Sequence, residues 1–113
     1  MGRMYMPVEV SFKGSKRITI AVVDTGADET VVSKKLVTEI GAELYGSYSA
    51  VCASGFVVSG KYANLLIKDL ENGKGVALKI GVSDVPFDTD EVNDEGLNVI
   101  LGVDFIQESG MKI

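Results

Sequence analysis

Apolar and polar positions alternate from the start of the chain. Residues 8–12 read Val-Glu-Val-Ser-Phe, a period of two that predicts a half-buried strand. Lys13-Gly14-Ser15-Lys16 reads as a tight turn, and residues 18–23 as the returning strand. That second strand becomes continuously apolar towards its end, as a strand entering a core does, and stops at the turn signal Asp24-Thr25-Gly26. Residues 31–33 predict a short strand. Leu36, Val37 and Ile40 then fall at helical spacing, with Ser33 as N-cap and Gly41 as stop.

From Ser47 the chain reads as extended through residue 58, with small Gly and Ser residues in the middle, as a hairpin tip has. Residues 62–70 and 75–82 predict two more strands. The Asn72-Gly73 pair between them is the strongest hairpin signal in the chain, because Asn-Gly suits the positive φ angles of a type I′ turn. Residues 83–96 form a long acidic loop. Residues 97–101 are a second buried strand ending at Gly102, and residues 103–108 a short helix with Gly110 at its end. No internal repeat or Pro/Gly-rich linker divides these elements, so residues 1–113 are expected to form one all-β domain with a short C-terminal helix.

Composition narrows the chemistry. With 46% hydrophobic residues the chain can build a core, and its dispersed charges argue against disorder. The net charge of −5 repels nucleic acid, and the densest basic cluster, Lys13, Lys16 and Arg17, reads as a solvated turn. The absence of histidine removes Ser-His and Cys-His nucleophiles and His-ligated zinc. A single cysteine, Cys52, can form no internal disulfide, which fits a reducing compartment. It has no base beside it and reads as a small half-buried residue. No stretch approaches the roughly 20 apolar residues of a membrane span, and no signal peptide is visible, so a cytoplasmic protein without membrane contact is expected. Asp88, Asp90 and Asp94 do not have EF-hand spacing, and a solvated acidic loop is the favoured reading over a calcium site. No metal and no cofactor are expected.

What remains is a carboxylate placed where a buried strand ends, a costly position unless the group is hydrogen-bonded or protonated. The segment Val22-Val23-Asp24-Thr25-Gly26-Ala27-Asp28-Glu29-Thr30-Val31 resembles the active-site segment of the retroviral aspartic proteases, the retropepsins, and their cellular relatives. Asn98-Val99-Ile100-Leu101-Gly102 resembles the second signature of that family, two apolar residues and a glycine before a short helix. Residues 54–58, Tyr62 and residues 65–67 resemble the flap hairpin and the strand after it. The resemblance runs in the right order over nearly the whole chain, and a start on methionine suggests a freestanding cellular or archaeal-type relative rather than a piece of a polyprotein.

The resemblance implies a closed barrel-like domain that pairs about a two-fold axis, where Asp24 of each subunit meets its mate and the two share one proton. A water held between them attacks the peptide carbonyl while the protonated partner donates to its oxygen. Catalytic roles fall to Asp24, Thr25 and Gly26, with Thr25 bonding across the axis. Ala27, Asp28, Glu29 and Ile100 are implied to contact substrate, and Val51, Cys52, Ala53, Ser54 and Gly55 to form the flap that closes over an extended, largely apolar peptide. Met4, Tyr5, Met6, Met111 and Ile113 are expected at the dimer interface. The only other Asp-Thr pair, Asp88-Thr89, is followed by Asp90 and reads as surface loop, so the second aspartate must come from a second chain.

Three departures from the family stand out, one of them the flap tip Ala53-Ser54-Gly55, which is less glycine-rich than viral flaps. Viral enzymes commonly carry arginine after the second-motif glycine, and here Val103 occupies that place, leaving Asp28 to pair with Arg3, Arg17 or nothing. The 83–96 loop is longer. Ala27 offers no hydroxyl to a charged aspartate, from which a mildly acidic optimum, above that of pepsin-like enzymes, is expected. The alternative to an endopeptidase is a catalytically inactive relative that serves as a dimerisation or peptide-binding module.

Overall fold

The computed structural model describes residues 4–51, 57–84 and 97–111. Within them the chain forms β1 (Met4–Phe12), β2 (Ser15–Val23), β3 (Val31–Ser33), α1 (Lys34–Ile40), β4 (Tyr45–Val51), β5 (Val57–Asp69), β6 (Gly75–Ser83), β7 (Val99–Leu101) and α2 (Val103–Ser109). The strands lie in the order β1-β2-β7-β3-β6-β5-β4. A further antiparallel pairing of β1 with β5, from Val8↔Asp69 to Ser11↔Leu66, joins the sheet to itself. Six strands thus close into a barrel, with β4 appended to β5 outside it. This is the all-β, barrel-like fold with a short C-terminal helix that the sequence leads one to expect.

The alternation in the sequence explains the closure. Val8 and Val10 of β1, and Ala63, Leu65 and Ile67 of β5, point inwards and are buried. Between them Asn64, Leu66 and Lys68 stand outside. β5 is long enough to change neighbours, pairing with β4 as far as Tyr62 and with β1 from Leu66. The helices plug the barrel. Ser33 Oγ accepts from the Leu36 N–H at the start of α1, and Gly41 ends that helix in the left-handed region at φ 70°. Leu36, Val37 and Ile40 are buried on its inner face, and Phe105 of α2 is the largest fully buried side chain.

One hairpin turn falls where the sequence leads one to expect it, and the other takes a different form. The type I′ hairpin is at Lys13-Gly14, both with positive φ (49° and 85°), between the paired Phe12 and Ser15. At Asn72-Gly73, expected to be such a turn, only Gly73 has positive φ. There the buried Asp69 carboxylate accepts from the Glu71 N–H (2.8 Å), Asp69 O accepts from Gly73 N (2.7 Å), and Asn72 Oδ1 accepts from Lys74 N (3.2 Å). Side-chain capture of backbone donors favours this wider loop over a two-residue turn. Two members of the basic cluster beside the first hairpin pair with α1 and the segment after it: Arg17 with Glu39 (2.9 Å) and Lys13 with Glu43 (3.2 Å).

Gly60 marks the tightest crossing in the barrel wall. A β-carbon there would lie 1.9 Å from the Val82 carbonyl oxygen, whereas one at Gly75 would make ordinary contact with Leu66 at 3.5 Å. Gly60→Ala is therefore expected to cost about 3 kcal/mol and Gly75→Ala well under about 1 kcal/mol, read as shifts in the urea midpoint.

Candidate active site

The interior pairing that builds the site is parallel. β7 runs beside the end of β2, with Ala21↔Val99, Val22↔Ile100 and Val23↔Leu101 in register. Both strands therefore end at the same level. Leu101 O accepts from the Asp24 N–H (2.9 Å), which fixes where the chain leaves β2. β3 packs on the other side of β7, Val31↔Ile100 and Val32↔Val99, so residues 24–30 form a loop whose two ends flank one strand.

This loop is folded on itself at the aspartate. Gly26 N–H donates to Asp24 Oδ1 (2.9 Å) and Ala27 N–H to Asp24 O (3.2 Å). A glycine at 26 keeps this turn open, since a β-carbon would lie 3.3 Å from Asp24 Oδ1. Asp24, Thr25, Gly26, Asp28 and Glu29 are exposed in the single chain, and Ala27 is half-buried. The carboxylate at the end of the buried strand is thus presented outwards. Ile100, the middle residue of β7, is half-buried behind the loop.

The start of α2 holds the loop from below. Val103 N–H donates to Ala27 O (2.8 Å) and Asp104 N–H to Asp28 O (3.3 Å). Gly102 fits beneath it because it has no side chain: a β-carbon would come within 2.6 Å of Glu29 C and 2.8 Å of Ala27 O. At the far end of the loop, Thr30 is fully buried. Its N–H and hydroxyl donate to the two oxygens of Asp104 (3.1 and 2.7 Å), and its Oγ1 accepts from Gly102 N–H (3.1 Å).

Several expected contacts resolve differently. Arg17 is committed to Glu39, so it is not the partner of Asp28, and Arg3 lies outside the described residues. Among the described residues, Asp28 forms no ion pair. The half-buried, uncharged Val103 cannot supply one. Met6 is 2% exposed and its side chain belongs to this chain's own core, so only its backbone edge can meet another strand, whereas Met4 and Tyr5 are 44% and 37% exposed. Met111 packs partly buried against the core, and Ile113 lies outside the described residues. Val51 ends β4 opposite Val57, and Cys52, Ala53, Ser54 and Gly55 fall in the connection between those strands, outside the described residues, as do Asp88, Asp90 and Asp94. Among the described residues no cluster of three or more acidic, Cys or His side chains offers a metal site, and no helix is long and apolar enough to cross a membrane.

The Thr30–Asp104 contact is the part that motif reasoning does not supply. Its signal was a hydroxyl residue leading straight into an apolar strand, where burial demands a partner, and a carboxylate two positions past the second-motif glycine.

No protein-family model and no curated protein matches the chain at the level of sequence. Solved structures do. EIAV protease, complexed with the inhibitor HBY-793, superposes with a TM-score of 0.73 at 21% identity, over 99% of this chain and 92% of that one. The retroviral protease-like domain of Ddi1 from Leishmania major superposes with a TM-score of 0.58 at 16% identity, over 100% and 82% respectively. The chain has a retropepsin-like fold.

The geometry separates two neighbouring positions. Gly102→Ala is expected to cost about 3 kcal/mol, because the displaced atoms are backbone. Asp28→Asn is expected to change stability by less than about 0.5 kcal/mol, because the exposed charge has no ionic partner among the described residues. Chemical denaturation of both variants beside the parent measures the contrast.

Proposed function

We propose that the chain is an aspartic endopeptidase that cleaves extended, largely apolar peptide segments and acts as a homodimer. The observation that carries this reading is the presentation of Asp24: an exposed carboxylate at the end of a buried strand, on a loop anchored along its length by hydrogen bonds. An outward-facing carboxylate with no cation beside it among the described residues has no evident structural purpose, but it has a chemical one.

One carboxylate is half of the machinery that amide hydrolysis needs. A base must take a proton from water, and an acid must stabilise the carbonyl oxygen as it gains charge. The chain holds one Asp-Thr-Gly and no histidine, so the second group is Asp24 of the partner subunit. Two ionised carboxylates about 3 Å apart repel by roughly 5 kcal/mol at an effective dielectric near 20, so the pair keeps one proton. The ionised member accepts a proton from the water between them as that water attacks the carbonyl carbon. The protonated member donates to the carbonyl oxygen, giving a tetrahedral diol. Its collapse returns a proton to the leaving nitrogen, and no covalent intermediate forms. Thr25 joins the two loops across the axis. Gly26, Ala27, Asp28, Glu29 and Ile100 line the substrate side, and the β4–β5 hairpin, with Val51 and the 52–55 connection, covers it.

Two features support the pairing of chains. Met4, Tyr5 and Met6 are paired only with β2, because the β1–β5 ladder begins at Val8, so this end of β1 keeps an open edge. Open edges with exposed apolar side chains are places where another strand adds. Pairing would also bury the exposed loop that carries Asp24.

Incubation with a peptide library at mildly acidic pH, with and without pepstatin, tests the activity. Asp24→Asn is expected to lower cleavage by at least about 1,000-fold, as loss of a member of a catalytic unit does, with the folded state retained. Cleavage that survives the substitution comes from a contaminant. No cleavage by the parent at any pH favours the binding-module alternative. The rate is expected to be bell-shaped in pH, lost at low pH when both carboxyls are protonated and at high pH when neither is. Sedimentation is expected to give a dimer, and a monomer at high protein concentration contradicts the mechanism.

A further inference from the structure

We propose that Asp104 and Thr30 are positioning residues for Asp24, through a hydrogen-bonded pair that ties the far end of its loop to the start of α2. The inference rests on the protease reading for its kinetic consequence, but its structural part stands independently of it.

Besides Gly81 N–H, which donates to Thr30 O (3.2 Å), the loop 24–30 is held from outside itself by residues 101–104. Three of those contacts are backbone to backbone: Asp24 N to Leu101 O, Val103 N to Ala27 O and Asp104 N to Asp28 O. The side chains that add to them are Thr30 and Asp104. Thr30 donates its N–H and O–H to the carboxylate, and its Oγ1 accepts from Gly102 N–H. Asp104 Oδ1 also accepts from the Phe105 N–H (2.7 Å), which orients the carboxylate on the first turn of α2. Phe105, fully buried, seats that turn in the core. A continuous path therefore runs from the packed core through α2 and Asp104 to Thr30, and along six residues of loop to Asp24.

Chemistry favours a positioning role over a merely cohesive one. The donors reach both oxygens of one carboxylate, so the arrangement fixes orientation as well as distance. The loop's exposed members carry no ion pair among the described residues, and Val103 stands where the sequence resemblance leads one to expect arginine. Without the Thr30–Asp104 pair the far end of the loop keeps only its strand contacts. The turn that aims Asp24 is then free to shift, and displacements near 1 Å at reacting groups lower rates by up to about 100-fold.

Thr30→Val, Thr30→Ser, Asp104→Ala and Asp104→Asn, with Lys35→Ala on the exposed face of α1 as control, test this. Steady-state kinetics and amide hydrogen exchange at Gly26 and Ala27 are measured on the dimeric fraction of each. Thr30→Val, which keeps the shape and removes the hydroxyl, is expected to lower kcat about 10- to 100-fold with KM changed less than about threefold. Thr30→Ser, which restores the hydroxyl, is expected to return kcat to within about threefold of the parent. Combining Thr30→Val with Asp104→Ala is expected to do no more harm than the worse single variant, because both remove one interaction. Exchange at Gly26 and Ala27 quickens in Thr30→Val and not in Thr30→Ser or Lys35→Ala.

Unchanged kcat in the folded Thr30→Val dimer, a rise in KM alone, or equal losses in Thr30→Val and Thr30→Ser would overturn the proposal. If Asp104→Ala does not fold, the Thr30 pair and Asp104→Asn decide. If the parent cleaves nothing, the protease reading fails, and the exchange data alone decide whether the pair holds the Asp24 turn.

Discussion

Gly102 lies against the backbone of Ala27 and Glu29 with no room for a β-carbon, and much of the architecture follows from that contact. To bring these two stretches together, β7 must run parallel to β2 and end at the same level. A parallel pair cannot be joined by a short turn, so the intervening chain has to travel around the molecule before returning. It does so as β3, α1, β4, β5 and β6, and β5 meets β1 on the way to close the barrel. The small glycine also lets α2 begin immediately beneath the loop, so its first backbone N–H groups meet loop carbonyls rather than water.

Closure leaves two strand regions with one neighbour each: the first residues of β1 and the outer side of β4. β1 carries exposed Met4 and Tyr5 at its open end, and the other end of the same hairpin is tied down by charge pairs to Glu39 and Glu43. The asymmetry is informative. Exposed ion pairs of this kind contribute little to stability, but they occupy the basic groups of the turn and leave Asp28 without them. The end near Asp24, by contrast, carries exposed Met4 and Tyr5 and acids that form no ion pair among the described residues.

Among the described residues Asp28 has no ion pair, whereas Thr30 and Asp104 are in direct contact. Both facts concern how an exposed loop is held still. A neutral hydroxyl and a carboxylate, half or fully buried, form shorter and less screened contacts than an exposed charge pair would. The loop is thereby referenced to the core through α2 instead of through surface charge.

Much of this was local and therefore legible in the sequence. Alternation gave β1, because a strand with one face in the core repeats every second residue, and the continuously apolar end of β2 marked a strand entering the core. The capping of α1 by Ser33 and Gly41, and the end of α2 at Gly110, follow from backbone geometry within a few residues. The Asp24 motif and its companion at residues 98–102 pointed to one site from two places in the chain. Tertiary structure decided the rest, wherever the partner was distant or two local options were close in energy. The register Phe12↔Ser15 put the type I′ turn at Lys13-Gly14, while the Asp69 carboxylate drew Asn72-Gly73 into a wider loop. Arg17 chose Glu39 on a helix, and Thr30 met Asp104 across 74 positions. Aspartate at 24 is thus visible from its neighbours in sequence, but what holds it in place depends on contacts that exist only once the barrel has closed.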